Sequence, residues 1–180
     1  LDDPSFRWPS QPRRCLEWDS GGYSRHFFRD FCQVIDVLTY HGEGVASMRD
    51  NGPAANGKID YFVDIHLADQ VIPENSTAMV ICAQVFEHLS QPFVAMKQIY
   101  RLLAPGGLLA WTVPLFSEIH GAPQDFWRFT PGGANRLALY AGLEVVQIYA
   151  PGGLRETTGS LLGMTKPYWR EEEILEDRHD

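Results

Sequence analysis

The sequence is short of several things, and each shortage removes a class of function. Only three of its fifteen basic residues are lysines, no basic run occurs, and the net charge is -8. A phosphate backbone calls for a positive surface, so nucleic acid is not an expected partner. No apolar run approaches the roughly 20 residues that a bilayer span requires, and no signal-peptide pattern opens the chain, so no membrane span is expected. The three cysteines, Cys15, Cys32 and Cys82, lack metal-ligand spacing. They read as small buried hydrophobes in a reducing compartment. Internal repeats and low-complexity segments are absent too. A length of 180 residues then fits one domain with a genuine core. The first residue is Leu, which is compatible with a targeting segment removed upstream. The expected location is intracellular and soluble, in the cytoplasm or an organelle interior.

What is present is organised around Val80 to Pro114, which reads VICAQVFEHLSQPFVAMKQIYRLLAPGGLLAWTVP. Val80 to Ala83 and Leu108 to Val113 are short and continuously apolar, as strands buried on two faces are. Between them Phe93, Met96, Tyr100 and Leu103 fall on one helical stripe, with Lys97, Gln98 and Arg101 turned away. Pro92 suits a first turn. Gly106 and Gly107 offer a left-handed exit. The sum is a βαβ unit of an α/β fold, in which ligands sit beyond the carboxyl ends of the strands.

The string Q-V-F-E-H-L, followed by R-L-L-A-P-G-G-L-L, resembles the region after the cofactor motifs in class I S-adenosylmethionine-dependent methyltransferases of the type 11 group. The run H-G-A-P-Q-D-F-W-R-F-T-P from His120 and A-G-L-E-V-V-Q-I from Ala141 are similar to the same group's downstream signature. The resemblance covers roughly residues 14 to 153. It implies a Rossmann-like class I fold, a mostly parallel sheet with helices on both faces. A clear seventh strand and the N-terminal helices that cover the cofactor are not evident.

Taken in order, residues 1–12 read as an extended arm whose Phe6 and Trp8 pack on this domain or on a protein partner. Residues 13–153 form the methyltransferase-like domain, and 154–180 a C-terminal extension with a charged tail. Arg13 to Trp18 is a strand carrying Glu17. Asp19, Gly21 and Gly22 then stand where the family holds its nucleotide-binding loop. Glycine lets backbone approach the cofactor, and a helix N-terminus presents N–H groups to its carboxylate. Asp19 replaces the first expected glycine. Two like charges about 5 Å apart at an effective dielectric near 20 repel by roughly 3 kcal/mol, about a hundredfold in affinity.

The strand Gln33 to Tyr40 carries Asp36. By resemblance Asp36 grips the cofactor's ribose; otherwise it is a solvated or capping residue. His41 to Lys58 reads as a surface loop. In the strand Ile59 to Leu67, Asp64 accepts from the adenine amino group by resemblance and the Ile65 backbone N–H meets the ring; a plain strand-end role is the alternative. Ala83 and Gln84 close the cofactor edge, while Ala78 stands where the family usually has Asp. Glu87 favours a helix N-terminal dipole. His88 is a base or substrate contact, or else a local cap. Ser117 to Pro131, with His120 and Asp125, roofs an acceptor pocket, or else an Asp125–Arg128 pair merely stiffens it. A helix follows from Thr130 to Ala141, and a strand from Glu144 to Ala150.

Two functions follow. One is S-adenosylmethionine-dependent methyl transfer to an unknown small-molecule or protein acceptor, using His88, His120 and Asp125. It depends on alignment of the reactants, and no metal is expected. The other is a catalytically inactive accessory subunit that joins a larger complex through its arm. No G-x-G-x-x-G follows a strand, which argues against a nicotinamide enzyme.

Overall fold

The computed structural model describes residues 13–18, 26–28, 30–39, 53–54, 57–58, 61–120, 124–150, 153 and 157–158. The N-terminal arm, the loop with Asp19, Gly21 and Gly22, and the charged tail lie outside the described residues.

One sheet contains β1 (Arg14–Trp18), β2 (Val34–Thr39), β5 (Tyr61–Phe62), β6 (Thr77–Ala83) and β7 (Leu103–Thr112). A separate antiparallel pair is formed by β3 (Pro53–Ala54) and β4 (Gly57–Lys58). The sheet order is β5-β2-β1-β6-β7, and every pairing within it is parallel. Counting only these strands along the chain, the order is third, second, first, fourth, fifth. The winding therefore reverses between β1 and β6, and the crevice beyond Trp18 and Ala83 is the place where such sheets take ligands. The α/β expectation holds.

Burial explains the strands. In β6, TAMVICA, six of seven residues are buried, as in a strand covered on both sides. Val80 and Cys82 join Leu16, Trp18 and Leu38 on one face, and Met79 and Ile81 join Cys15 and Cys32 on the other, following the alternation of a pleated strand. The crossover helix α1 (Pro92–Leu102) buries Ala95, Met96, Ile99 and Leu102 on the first face, each large side chain contributing about 2 kcal/mol. This stripe is rotated from the expected one. Phe93 and Tyr100 are each 49% exposed because they lean over the second helix, α2 (Pro131–Ala141). Phe93 meets Tyr140 edge-on at 5.2 Å, and Tyr100 lies against Gly142. Gln98, expected outside, is buried.

The caps of α2 are as the sequence implies. Thr130 Oγ1 accepts from the Gly133 N–H at 3.0 Å, and Gly142 leaves the helix at φ 102°. Leu137 is buried, but Tyr140 is not. Both helices pack on the Leu16 face. Among the described residues the opposite face is covered by Phe28, Phe31 and Cys32 rather than by a full helix.

Four expectations are corrected. Ile59 to Leu67 is not a continuous strand: after Phe62 the chain turns into a 3-10 helix, Ile65–Gln70. The turn follows from Asp64, whose carboxylate captures the His66 N–H at 2.9 Å. Glu144 to Ala150 forms no strand, and Val146 and Tyr149 are 85% and 70% exposed. Gly106 and Gly107 do not end α1; they lie within β7. Gly106 has φ 76°, and a Cβ on Gly107 would lie 2.8 Å from the Ala104 carbonyl oxygen, where the β6–β7 register shifts. Lastly, Cys15 and Cys32 are not separate thiols. They form a disulfide, with Cα atoms 5.7 Å apart, so only Cys82 is a buried free cysteine. No helix among the described residues is long and apolar enough to cross a membrane.

Candidate functional site

At the carboxyl end of β6 the chain makes an unusual turn. Gln84 takes φ 56°, a left-handed conformation uncommon outside glycine and one that collects at functional edges. Its N–H donates to the Thr112 carbonyl at 3.0 Å, and its Nε2 donates to Thr112 Oγ1 at 3.0 Å. The ends of β6 and β7 are thereby fastened together. A 3-10 turn, Phe86–His88, follows and buries Phe86 and Glu87.

Glu87 is the centre of what the turn builds. Its side chain is fully buried, and neither carboxylate oxygen has a hydrogen-bond partner. Burial pushes its carboxyl group above the ordinary range, with Asp125 adding to the shift. Its own backbone N–H, His88 and His120 oppose the shift without meeting hydrogen-bond geometry. Nε2 of His88 lies 3.8 Å from Glu87 Oε1, and Nε2 of His120 lies 3.9 Å from the same atom. The two imidazoles meet edge to face at 5.0 Å.

The other ring nitrogens are already engaged. Nδ1 of His88 is 2.7 Å from the Gln124 carbonyl, and Nδ1 of His120 is 3.0 Å from the Glu118 carbonyl. A carbonyl can only accept, so each Nδ1 carries its proton, and Nε2 is the ring nitrogen left facing Glu87.

The loop that supplies His120 is held down over this group. Phe126 N–H and Trp127 N–H donate to the Glu87 carbonyl at 2.7 and 3.2 Å, and the Trp127 indole donates to the Leu89 carbonyl at 2.8 Å. Asp125 accepts from both terminal nitrogens of Arg128, at 2.5 and 2.7 Å, and from the His120 N–H at 3.0 Å. The Arg128 hydrogen bonds hold the Asp125 carboxyl well below the usual range, and Asp125 in turn raises Arg128. Arg128 also donates to the Ser117 and Glu118 carbonyls.

Of the three residues expected at the acceptor, His88 and His120 therefore converge. Asp125 instead pairs with Arg128 and fixes the backbone of His120, a positioning part. Glu87 was missed as a site residue, because a Glu before a His gives no sign that it will be buried.

The residues expected at the cofactor divide. Glu17 is buried in β1, aligned with Val37 and Ile81. Trp18 ends that strand beside Cys82, with its indole N–H buried and without a hydrogen-bond partner. Ala83 and Gln84 close β6 at the same end. Asp36, for which a ribose role is expected, is held within β2. It is the third of six residues in β2, short of the carboxyl end, and its carboxylate accepts from Arg14 Nε. Asp64 stands at the end of the β5 segment, where its Oδ1 takes both the His66 N–H and His66 Nδ1, the latter at 2.6 Å. The Ile65 side chain is buried.

The model of the methyltransferase domain family matches residues 20–111, just over half of the chain. The chain belongs to the methyltransferase domain family. No curated protein matches it. Among solved structures, this methyltransferase-family chain is similar to an S-adenosylmethionine-dependent methyltransferase from Archaeoglobus fulgidus, with a TM-score of 0.58 and 14% identity over 92% of this chain and 76% of that one. A chain from the complex between the Haloferax volcanii Trm112 methyltransferase activator and a methyltransferase gives 0.54 and 17%, over 87% and 78%. The [4+2]-cyclase SpnF gives 0.51 and 18%, over 75% of this chain and 52% of that one. Identities this low speak for the fold, and a cyclase among the neighbours shows that the fold alone does not choose a reaction.

Proposed function

We propose that this chain binds S-adenosylmethionine in the crevice beyond β1, β5 and β6 and directs its methyl group to an acceptor held against His88 and His120. The observation that carries the reading is Glu87, a buried carboxyl group without hydrogen-bond partners, faced by the Nε2 atoms of two histidines at the carboxyl end of the sheet. Burying such a group costs several kcal/mol. A site for chemistry gives that cost a use, which favours catalysis over the scaffold alternative.

The described residues give partial support for the cofactor. The unpartnered Trp18 indole N–H, the left-handed turn at Gln84 and the Asp64 carboxylate stand at the carboxyl ends of three strands. Asp64 and the Ile65 N–H would take the adenine, and Glu17, Ala83 and Gln84 would border the rest. Gly21 and Gly22 would approach the methionine part, with Asp19 opposing it. The cofactor supplies an electrophilic methyl group. His88 or His120 would accept the acceptor's proton through Nε2, and the Asp125–Arg128 pair would keep His120 in place.

Calorimetric titration with S-adenosylmethionine tests this. Micromolar binding is expected. Asp64→Asn keeps the oxygen that caps the 3-10 helix but changes the second one, and should weaken binding by roughly tenfold or more. His120→Ala should leave binding intact. Absence of heat at millimolar cofactor overturns the proposal.

A further inference from the structure

We propose that Glu87, His88 and His120 form a binding site for one divalent transition-metal ion, with zinc as the first candidate. One oxygen of Glu87 and one nitrogen of each histidine all lie within 4.8 Å of one another. Zinc holds nitrogen and oxygen ligands at about 2.1 Å, which puts neighbouring ligand atoms of a tetrahedron about 3.4 Å apart. The separations of 3.8 and 3.9 Å from Glu87 Oε1 thus need to close by about half an ångström, and the two histidine nitrogens, within 4.8 Å of each other, by up to about 1.4 Å.

Three independent features point to a cation rather than to a chance cluster. First, Glu87 is a fully buried carboxylate with no hydrogen-bond partner, and a cation would supply the missing charge and ligand at once. Second, both histidines donate Nδ1–H to a backbone carbonyl and direct Nε2 inward. That outer arrangement orients metal-bound imidazoles and raises their basicity. Third, the support extends one layer further, since Asp125 holds the His120 N–H and Arg128 holds the Glu118 carbonyl that receives His120 Nδ1. Two imidazoles and a carboxylate suit zinc and its first-row neighbours better than magnesium or calcium, which take oxygen ligands.

The His120 side chain is 42% exposed while Glu87 is buried. The three donors therefore leave a fourth position on the solvent side, open to water or to an acceptor oxygen. The ion site stands on the geometry of these residues alone. Its use toward an acceptor rests on the methyl-transfer proposal and would take the place of the histidine base there: with both Nε2 atoms on the ion, a hydroxyl bound beside them would lose its proton to water more readily, as metal-bound water does.

The test uses full-length protein stripped with a chelator. Zinc titrated by calorimetry should bind one equivalent per chain at micromolar Kd or tighter, and cobalt(II) should show the visible absorption of a four-coordinate site. Glu87→Gln, which keeps shape and removes charge, and His120→Ala should each weaken zinc at least tenfold and abolish the cobalt signal. Zinc should raise the melting temperature of the wild type but not of Glu87→Gln, whose metal-free fold is expected to be no less stable than the parent's. No stoichiometric binding, or equal binding by the variants, overturns the site. S-adenosylmethionine titrated into the metal-free protein reads the function proposal separately, so either can fail alone.

Discussion

Removing the Cys15–Cys32 bridge should cost this protein about 3 kcal/mol. The bridge closes a loop of sequence separation 17, and on the chain-entropy account a loop of that length restrains the unfolded chain by about 3 kcal/mol at 25 °C. For a domain of this size each kcal/mol moves the melting temperature by about 2–4 °C, so a drop of about 6–12 °C is expected. Both cysteines are buried among Met79 and Ile81, so a reductant acts slowly on the native state. A Cys15→Ala/Cys32→Ala pair is the cleaner perturbation, followed by urea unfolding and circular dichroism. Thiol counting frames the result: no reactive thiol in the native protein, because Cys82 is buried and its thiol pushed far up by that burial; one after unfolding; three after unfolding and reduction. Three thiols on simple unfolding, or a double variant as stable as the parent, would refute the reasoning. A bridge of this kind also persists best in surroundings that are not reducing, unlike the compartment expected for three free cysteines.

Two further predictions concern charge. Asp19→Gly should tighten S-adenosylmethionine up to about a hundredfold, the repulsion worked out above; an unchanged Kd by calorimetry would show that the Asp19 carboxylate faces away from the ligand. Asp125 has a depressed folded-state value, so its contribution to stability is fully present above the unfolded carboxylate range and is lost as pH falls through the folded value. The stability difference between wild type and Asp125→Asn should be flat from neutral pH down to about pH 5 and shrink only in more acidic solution; a difference that vanishes near pH 6 contradicts this.

Much of the fold was legible because it is local. The run Val80–Ala83, the crossover helix and the Thr130 and Gly142 caps each depend on residues within a turn or two. The rotation of α1 was not, since Phe93 and Tyr100 are placed by α2 and Gly142, far along the chain. Asp64 ended its strand early by bonding His66, a competition that β-propensity does not register. At the site, His88 and His120 were readable by type and by their place at strand ends. Their meeting at Glu87 was not, because it needs the loop carrying His120 to fold back on the 3-10 turn. The place of Asp36 within β2 and its pairing with Arg14 were not legible, because a sequence does not show where in a strand a carboxylate sits or which cation faces it.

Among the described residues, β7 is paired on one side only, and its outer half, Leu108 to Thr112, carries neither charge nor proline. A row of amides and carbonyls with no gatekeeper is a template for whatever extended chain comes near, whichever side chains that chain bears. Residues 144–150 of the same molecule are one claimant, and a neighbouring molecule is another. As the solution becomes more concentrated, the balance between them tilts toward self-association.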